Sequence, residues 1–194
     1  MSQEKITLKE LKYYAKMASE AYINDPVYCF ACKNEKIRKR FIYHFILLRL
    51  NSSRKKDIFY FDEEKRGLCI LREAHYDYTM WQFLKCPNWV FLVLYFPLTI
   101  KTLLAYSHLD NSEIFDDKTY IVSPVFVDKA HQGKGIATRL LNMGIEEMKE
   151  KGYKVGLETQ NPKNVPFYEK LGFRVVKQEH YKLENIDNYY MITE

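Results

Sequence analysis

The sequence predicts an α/β domain in which helices flank a sheet, and three features indicate this fold class. A strand rich in β-branched residues (119–127) leads through a glycine turn into an amphipathic helix at 136–151. Two β-rich runs joined by a polar turn precede it, and further short β segments follow it. A length of 194 residues suffices for one sizeable core and is short for two. We therefore expect a single domain over residues 1–194.

The first elements of the chain are predicted to be helices. Residues 7–22 begin with Thr7 and carry Glu10 three positions later, the spacing of a capping box, and their apolar residues recur at helical intervals. Residues 35–50 again show a helical pattern, which is basic at its start and apolar afterwards. Asn51 and the two serines after it are expected to end this second helix.

The β segments are predicted from short runs of β-branched and aromatic residues. DIFYFD and GLCILRE, joined by EEKRG, indicate an antiparallel hairpin. The strand TYIVSPVFV contains Pro124, which cannot donate to a ladder, so a bulge or splay is expected there. YKVGLET follows the amphipathic helix, a short helix begins near Asn164 and ends at Gly172, and FRVVKQEHYKL and NYYMIT complete the chain. NYYMIT is apolar enough to be a candidate for pairing across a homodimer.

Residues 89–106 are the most apolar stretch of the chain, WVFLVLYFPLTIKTLLAY. Pro97 and Lys101 divide it into pieces below the ~20 apolar residues that cross a bilayer. We expect a buried or pocket-lining helical pair and no membrane span. A membrane-associated interaction protein that uses this surface is one alternative.

Charge and cysteine content narrow the function classes. A net charge of +5 suits an anionic ligand, but the chain lacks the clustered Lys/Arg stripe of a nucleic-acid binder. Cys29 and Cys32 have no second ligand pair nearby, so no metal is predicted, and we expect two small half-buried hydrophobes at a helix end. The start of the chain shows no signal-peptide pattern, which favours a cytoplasmic location.

The segment VFVDKAHQGKGIATRLL, residues 125–141, places a glycine turn between the strand and the helix. Gly133 and Gly135 let the backbone approach an anion closely, and the N–H groups of the helix start point at it, so a pyrophosphate is the natural ligand. The residue order does not fit a Walker loop. A dinucleotide fingerprint would need a third glycine at Thr138, although Glu158 lies near the distance for a ribose contact. A plain glycine turn remains a further interpretation.

Two motifs in the C-terminal half of the chain resemble signatures of the GNAT superfamily of N-acetyltransferases. QGKGIA (132–137) is similar to the superfamily's acyl-CoA pyrophosphate loop, in which Gln or Arg is followed by two residues, Gly, one residue and Gly or Ala. NPKNVPFYEKLGF (161–173) is similar to its second signature, and the resemblance covers residues 119–178 closely. It implies a GNAT-like mixed, mostly antiparallel central sheet, splayed at the core strand and preceded by a helical insertion. Residues 119–194 would bind acetyl-CoA, and residues 1–118 would form the substrate side.

The resemblance also implies roles for individual residues. The backbone of Phe126 and Val127 would contact the pantetheine arm, and Asn164 would hydrogen-bond the cofactor, although it could equally be a helix N-cap. The N–H of Val127 would stabilise the oxyanion. The remaining cofactor-binding positions follow the two motifs: Gln132, Gly133, Lys134, Gly135, Ile136, Ala137, Thr138 and Phe167.

The chemistry implied is direct attack of a primary amine on the thioester of acetyl-CoA. Tyr168 is the candidate general acid, since a phenol with a pKa of ~10 is matched to a thiolate leaving group, and a packed aromatic is the alternative. Glu158 is the best-placed carboxylate for a general base, although it could be a solvent-facing strand end. His75, His108 and His131 are weaker candidates.

The acceptor is expected to come from the half of the chain that has no recognisable motif. The aromatic residues Tyr76, Tyr78, Trp81 and Trp89 indicate a largely apolar pocket for an amine on a small molecule or a peptide. A catalytically silent acyl-CoA-binding module is the principal alternative to an enzyme.

Overall fold

The computed structural model describes residues 6–54, 56–75, 88–107, 113–182 and 184–194 of the chain. A six-stranded sheet with the order β1-β2-β3-β4-β6-β5 forms its centre. Only β3 and β4 are parallel, and every other neighbouring pair is antiparallel, which confirms the predicted mixed, mostly antiparallel sheet. The strands are β1 (Ile58–Phe61), β2 (Gly67–Glu73), β3 (Thr119–Val127), β4 (Lys154–Thr159), β5 (Phe173–Tyr181) and β6 (Ile186–Thr193).

Helices cover both faces of this sheet. The predicted capping box begins the first of them: Thr7 Oγ1 accepts a hydrogen bond from Glu10 N at 3.3 Å, and Glu10 Oε2 accepts one from Thr7 N at 3.0 Å. Short 3₁₀ turns at Lys129–His131 and Pro162–Asn164 precede the last two helices. The helices are α1 (Leu8–Ala21), α2 (Pro26–Ala31), α3 (Glu35–Ser53), α4 (Trp89–Leu94), α5 (Phe96–Ser107), α6 (Ile136–Glu150) and α7 (Val165–Glu169).

The alternation of side chains along β2 divides the core into two layers. Leu68 and Ile70 point to the face covered by α1 and α3, where they pack with Phe126. Cys69 and Leu71 point to the opposite face, where they pack with the buried stripe of α6. The central strands are therefore buried on both faces, and their ends are the places where a ligand can reach the sheet.

Two details of the N-terminal helices differ from the sequence prediction. Helix α3 continues three residues past the expected end at Leu50, because Ser52 Oγ donates to Leu48 O at 3.0 Å and lets the helix accommodate the serines. Helix α2 was given no bounds, although its signal is present: Asp25 Oδ1 accepts from Val27 N at 3.0 Å, and Pro26 occupies the first helical position. The prediction for Cys29 and Cys32 is confirmed, with half-buried and buried thiols at the end of this helix.

The apolar stretch forms two helices as predicted, and they are divided close to Pro97, but Lys101 does not divide them and the burial was predicted wrongly. The break lies at Tyr95, between α4 and α5, whereas Lys101 lies inside α5 with its side chain in solvent. No residue of α4 is buried, and the exposed fractions of Val93, Leu94 and Phe96 are 58%, 70% and 59%. The sequence could not show this, because an apolar helix reads the same whether or not a partner covers it.

Helix α5 contacts the rest of the fold through small side chains. Ala105 packs with Val27 of α2 and with Ile186 of β6, and Thr99 and Thr102 are buried on the same side of the helix. Leu103 is the one described residue of the apolar stretch that lines the pocket introduced below. None of the helices in the described residues combines the length and apolar run required to cross a bilayer.

The C-terminal strand β6 lies inside the sheet. Its residues pair with β4 from Thr159↔Tyr189 to Gly156↔Ile192 and with β5 along its whole length. Both edges of β6 are thus used within the chain, so the expectation that this strand could pair across a homodimer is wrong. An apolar strand pattern indicates burial, and here burial comes from two neighbours of the same chain.

Candidate functional site

The parting of β3 and β4 opens the site. Their Cα register runs only from Thr119↔Lys154 to Ile121↔Gly156, whereas β3 stays paired with β2 as far as Val127↔Gly67. The register with β2 also shifts opposite Ser123 and Pro124, so the splay predicted from Pro124 is present. Beyond Ile121 one edge of β3 has no ladder partner on the β4 side, which frees main-chain groups for a ligand.

A pocket of about 400 Å³ occupies this gap. Its floor is β3 from Ile121 to Val125, and one wall is the end of β4 with Asn164 and Tyr168. The other wall comes from α2, α3 and the segment that joins α1 to α2. The N-terminal helices and the C-terminal motif, which are more than a hundred residues apart in the chain, thus meet across the same cavity.

The backbone of β3 presents two N–H groups toward the gap. Asp128 N donates to Arg66 O at 2.8 Å, which fixes its direction toward the β1–β2 hairpin. Because main-chain groups alternate along a strand, the N–H groups of Val125 and Val127 point the opposite way, toward the edge that β4 leaves. By the same alternation the N–H of Phe126 points toward β2, so the geometry does not favour the backbone contact predicted for Phe126. Its side chain is buried against α1.

The glycine turn adopts the conformation for which glycine was expected. Gly133 and Gly135 have φ values of +77° and +74°, in the left-handed region that disfavours side chains, and Gly135 is the N-cap of α6. Residues 132–135 are exposed. The first intrahelical bond of α6 is Arg139 N to Gly135 O at 3.0 Å, so the N–H groups of Ile136, Ala137 and Thr138 have no helical acceptor and lie at the positive end of the helix dipole.

Two residues predicted to bind the cofactor at the turn, Ile136 and Gln132, have side chains that are already engaged within the protein. The side chain of Ile136 is buried in the core between α6 and β2, which leaves its N–H as the group available to an anion. Gln132 Nε2 donates to Val127 O at 3.3 Å and ties the turn back to β3. Lys134 is exposed at the crest of the turn, where its ammonium can reach solvent-facing phosphates.

A charged cluster behind the turn holds it against the hairpin. The Asp62 carboxylate accepts from Arg66 Nε at 2.7 Å and from an Arg139 guanidinium nitrogen at 3.2 Å. Arg139 also donates to Lys134 O at 3.4 Å. Hydrogen bonds from Arg66, and the smaller contribution of Arg139, lower the pKa of Asp62 to about 2. Sequence reasoning missed this cluster, because its members come from a hairpin and a helix start that are over seventy residues apart.

We expect Asp62→Asn to lower the free energy of unfolding by about 2 kcal/mol near neutral pH, the scale of the pKa depression. The folded pKa of Asp62 is below its unfolded value of about 4, so its contribution is present above pH ~4 and lost as the pH falls through ~2. Urea unfolding of both proteins between pH 7 and pH 2 should show the difference shrinking across that window. Glu64→Gln is the matched control, since Glu64 pairs with the same Arg66 but is exposed. A constant difference down to pH 2 would contradict this role.

The second motif places one member of its aromatic pair, Tyr168, at the pocket. Tyr168 on α7 lines the pocket with an exposed fraction of 8%, and its ring packs against Phe173 and Phe167 at centroid distances of 5.9 and 5.1 Å. Burial, with a smaller contribution from Cys69, raises the pKa of Tyr168 to about 12. The phenol is therefore a weaker acid than the value of ~10 assumed from sequence, and it keeps its proton throughout the physiological range.

Asn164 lies in the pocket wall and does not cap a helix with its side chain. Its amide Nδ2 donates to Thr159 Oγ1 at 3.4 Å, and it makes no capping hydrogen bond to α7. Asn161 performs the capping role one turn earlier by accepting from Lys163 N at 3.2 Å. Asn164 thus occupies the N-cap position of α7 without a capping hydrogen bond from its side chain, and it lies beside the pocket.

Glu158 also lines the pocket, and it is the second-last residue of β4. It is half-buried and stands opposite Tyr190 in the register with β6. Burial, a hydrogen bond involving Tyr181 and the charge of Glu158, in that order, raise the pKa of Tyr190. Glu158 is thus not the solvent-facing strand end of the alternative interpretation. His75 and His131 do not line the pocket, and His108 lies outside the described residues.

The part of the pocket lining where an acceptor was expected to bind, called the acceptor wall below, is more polar than the sequence predicted. Leu103 and the phenols Tyr22 and Tyr28 line it, together with four charged residues that sequence reasoning did not select as a group: Asp25, Arg49, Arg72 and Glu158. The expected apolar pocket was based on Tyr76, Tyr78 and Trp81, which lie outside the described residues, and on Trp89, which is 38% exposed and does not line the pocket.

Comparison with known proteins agrees with this geometry. The family profile described as "Acetyltransferase (GNAT) family" matches residues 60–173, more than half of the chain. A curated relative, the L-methionine sulfoximine/L-methionine sulfone acetyltransferase of Salmonella typhimurium, is 36% identical over 77 residues. That match covers 38% of this chain and 45% of the relative, so it spans less than half of either protein.

Solved structures show the same fold. The PaiA N-acetyltransferase of Thermoplasma acidophilum, solved in complex with coenzyme A, superposes with a TM-score of 0.55 at 16% identity, covering 98% of this chain and 96% of that one. A GNAT-family protein from Desulfovibrio desulfuricans gives a TM-score of 0.54 at 12% identity, covering 98% and 95%. At these identities the likeness concerns the fold alone. The family match, the splayed strand and the glycine turn together show that the chain belongs to the acetyltransferase (GNAT) family.

Proposed function

We propose that this protein is an N-acetyltransferase that moves the acetyl group of acetyl-CoA to the primary amine of a small acceptor by direct attack. The observation that carries the proposal is the parting of β3 and β4, because it opens one pocket onto Tyr168, Glu158 and the strand that leads into the glycine turn. Residues 119–194 form the cofactor half of a single domain in this proposal, and the earlier residues form the acceptor half.

The cofactor would lie along the free edge of β3 with its pyrophosphate at the start of α6. The N–H groups of Ile136, Ala137 and Thr138 and the exposed Lys134 would bind the phosphates. Gly133 and Gly135 would allow the close approach, while Gln132 holds the turn to β3. Asn164 and the half-buried Phe167 would line the path of the pantetheine arm. The relative from Thermoplasma acidophilum was solved with coenzyme A, which supports this choice of ligand.

The acetyl group would pass directly from the thioester to the amine, without an acetylated enzyme intermediate. The amine nitrogen attacks the thioester carbonyl carbon, the N–C bond forms, and the C–S bond breaks as the tetrahedral intermediate collapses. The N–H of Val127 would donate to the oxyanion, Tyr168 would give its proton to the departing thiolate, and Glu158 would accept the proton that the amine loses, directly or through water. Each of these groups is provided by the described part of the chain.

A thiol-release assay tests the proposal. Purified protein is mixed with acetyl-CoA, with and without a panel of primary amines, and free CoA is followed with a thiol reagent. We expect release that depends on both the protein and the amine. Tight binding of acetyl-CoA without amine-dependent release for any amine would instead indicate a catalytically silent acyl-CoA-binding module.

A further inference from the structure

The charges of the acceptor wall carry an inference about the substrate class, which rests on the proposed acetyltransferase function. Arg49 of α3 and Arg72 of β2 come from a helix and from the sheet that it covers, and both line the pocket. Neither position was singled out from the sequence. A pocket that brings two guanidinium groups to a cavity of this size is suited to a small ligand with an anionic group.

Arg49 is held in place at the pocket floor. One of its guanidinium nitrogens donates to the hydroxyl of Ser123, which is 3% exposed and lies on β3 just after that strand leaves β4. A guanidinium has five N–H donors in a rigid fork, and Ser123 accepts one of them. A fixed guanidinium can bind a carboxylate through two parallel hydrogen bonds with little loss of side-chain entropy.

Asp25 does not serve as the counter-ion of these arginines. Its carboxylate accepts from Val27 N at the start of α2, and burial raises the pKa of Asp25 to about 6. A guanidinium close to this carboxylate would lower its pKa instead. Among the residues that the structure describes, Arg49 makes its hydrogen bond to Ser123 and no ion pair, so its anionic partner is to be sought in a ligand.

Glu158 supplies the opposite charge on the other side of the gap. Ser123 and Glu158 each lie two residues beyond the last paired residues of β3 and β4, Ile121 and Gly156, so they occupy the same level of the splay. The gap thus has a guanidinium anchored on the β3 side and a carboxylate on the β4 side. This pattern is complementary to a molecule that carries both an anionic group and an ammonium group.

We propose that the acceptor is a small amino acid, whose carboxylate is bound by Arg49 with Arg72 adding positive charge, and whose amine faces Glu158 and the thioester. The carboxylate fixes the orientation, and the amine on the same carbon skeleton is then directed to the reacting centre. A simple amine would lack the anchor, and a long polyamine would place a positive charge against the arginines.

The test compares matched acceptors in the thiol-release assay with acetyl-CoA. The wild-type protein is assayed with the twenty L-amino acids, and each amino acid that reacts is compared with its amide and with the amine that lacks the carboxylate. We expect kcat/KM for the acid to exceed that for the amide by about 10-fold or more, the effect of a hydrogen bond to a charged group. The amine of the amide is the more easily deprotonated, so amine basicity cannot produce this preference.

Arg49→Gln tests the assigned residue. It should lower kcat/KM for the amino acid by about 10- to 100-fold and leave kcat/KM for the corresponding amide nearly unchanged. Arg40→Gln is the matched control, because Arg40 is an exposed arginine on the same helix, and it should change neither value. Calorimetric titration with acetyl-CoA shows whether each variant retains its cofactor site. If Arg49→Gln does not fold, the ratio of kcat/KM for the acid to that for the amide in the wild-type protein still tests whether the pocket binds a carboxylate.

Three results would overturn the inference. The first is an equal or better use of amides or simple amines, the second is an equal loss for acid and amide in Arg49→Gln, and the third is acetyl-CoA binding with no turnover of any amino acid. These results leave the proposed acetyltransferase function standing wherever simple amines are acetylated. Failure to bind acetyl-CoA at all would remove the proposed function and this inference together.

Discussion

Gly135→Glu is expected to weaken acetyl-CoA binding by about 100-fold or more. The substitution places a carboxylate at the N-cap of α6, where the three N–H groups without helical acceptors would bind the pyrophosphate. A Cβ at this position would meet only a guanidinium nitrogen of Arg139, at 3.9 Å, so the side chain fits and acts by charge repulsion and by occupying the anion site. Calorimetric titration of acetyl-CoA into the purified variant measures the change.

The matched control for this variant is Gly152→Glu. Gly152 follows the other end of α6, has a φ of +77°, and has no atom within 4 Å of a built Cβ. Its replacement by glutamate therefore introduces the same backbone strain and the same charge, but far from the turn. Both variants should lose roughly 1–2 kcal/mol of stability from the left-handed backbone. Only Gly135→Glu should lose affinity, and equal affinities for acetyl-CoA in the two variants would show that the turn does not hold the phosphates.

Tyr168→Phe is expected to lower kcat by about 100-fold while the affinity for acetyl-CoA stays within a factor of a few. The change removes the hydroxyl that would protonate the thiolate and keeps the ring that packs against Phe167 and Phe173. Tyr153→Phe is the control, since Tyr153 is 37% exposed beyond the end of α6. A kcat equal to that of the wild type would assign Tyr168 to packing alone.

The pH dependence provides a second test of Tyr168. A general acid acts in its protonated form, and burial raises the pKa of this phenol to about 12, so the active form persists at every pH below that value. The rate should therefore rise as the amine loses its proton and show no falling limb between pH 7 and pH 10. A falling limb in that interval that is present in the wild type and absent in Tyr168→Phe would contradict a pKa raised by burial.

The C-terminal half and the start of α1 were predictable because their signals are local. The capping box of α1, the positive φ of Gly133 and Gly135 and the interruption at Pro124 each depend on a few neighbouring residues, and the structure shows all three features. Helix α6 was predicted to within one residue, since its apolar stripe and its terminating glycine agree.

The acceptor wall was not predictable, because its residues meet only after folding. Asp25, Arg49 and Glu158 carry no shared motif, and their proximity depends on α1 to α3 covering the face on which β3 leaves β4. The composition of the aromatic stretch favoured burial, yet α4 is half-buried only through residues such as Phe91 and Leu92, and α5 reaches the pocket through Leu103. Composition shows what a segment can bury, and the tertiary structure decides whether it does.

The most direct test of the central claim is a product analysis of the complete reaction by mass spectrometry. Wild-type protein is incubated with acetyl-CoA and an L-amino acid that supports thiol release, and both CoA and the N-acetylated acceptor are quantified. We expect equal amounts of the two products with the wild type, and about 100-fold less of both with Tyr168→Phe. CoA release without an N-acetylated product, or equal product from both proteins, would contradict the central claim.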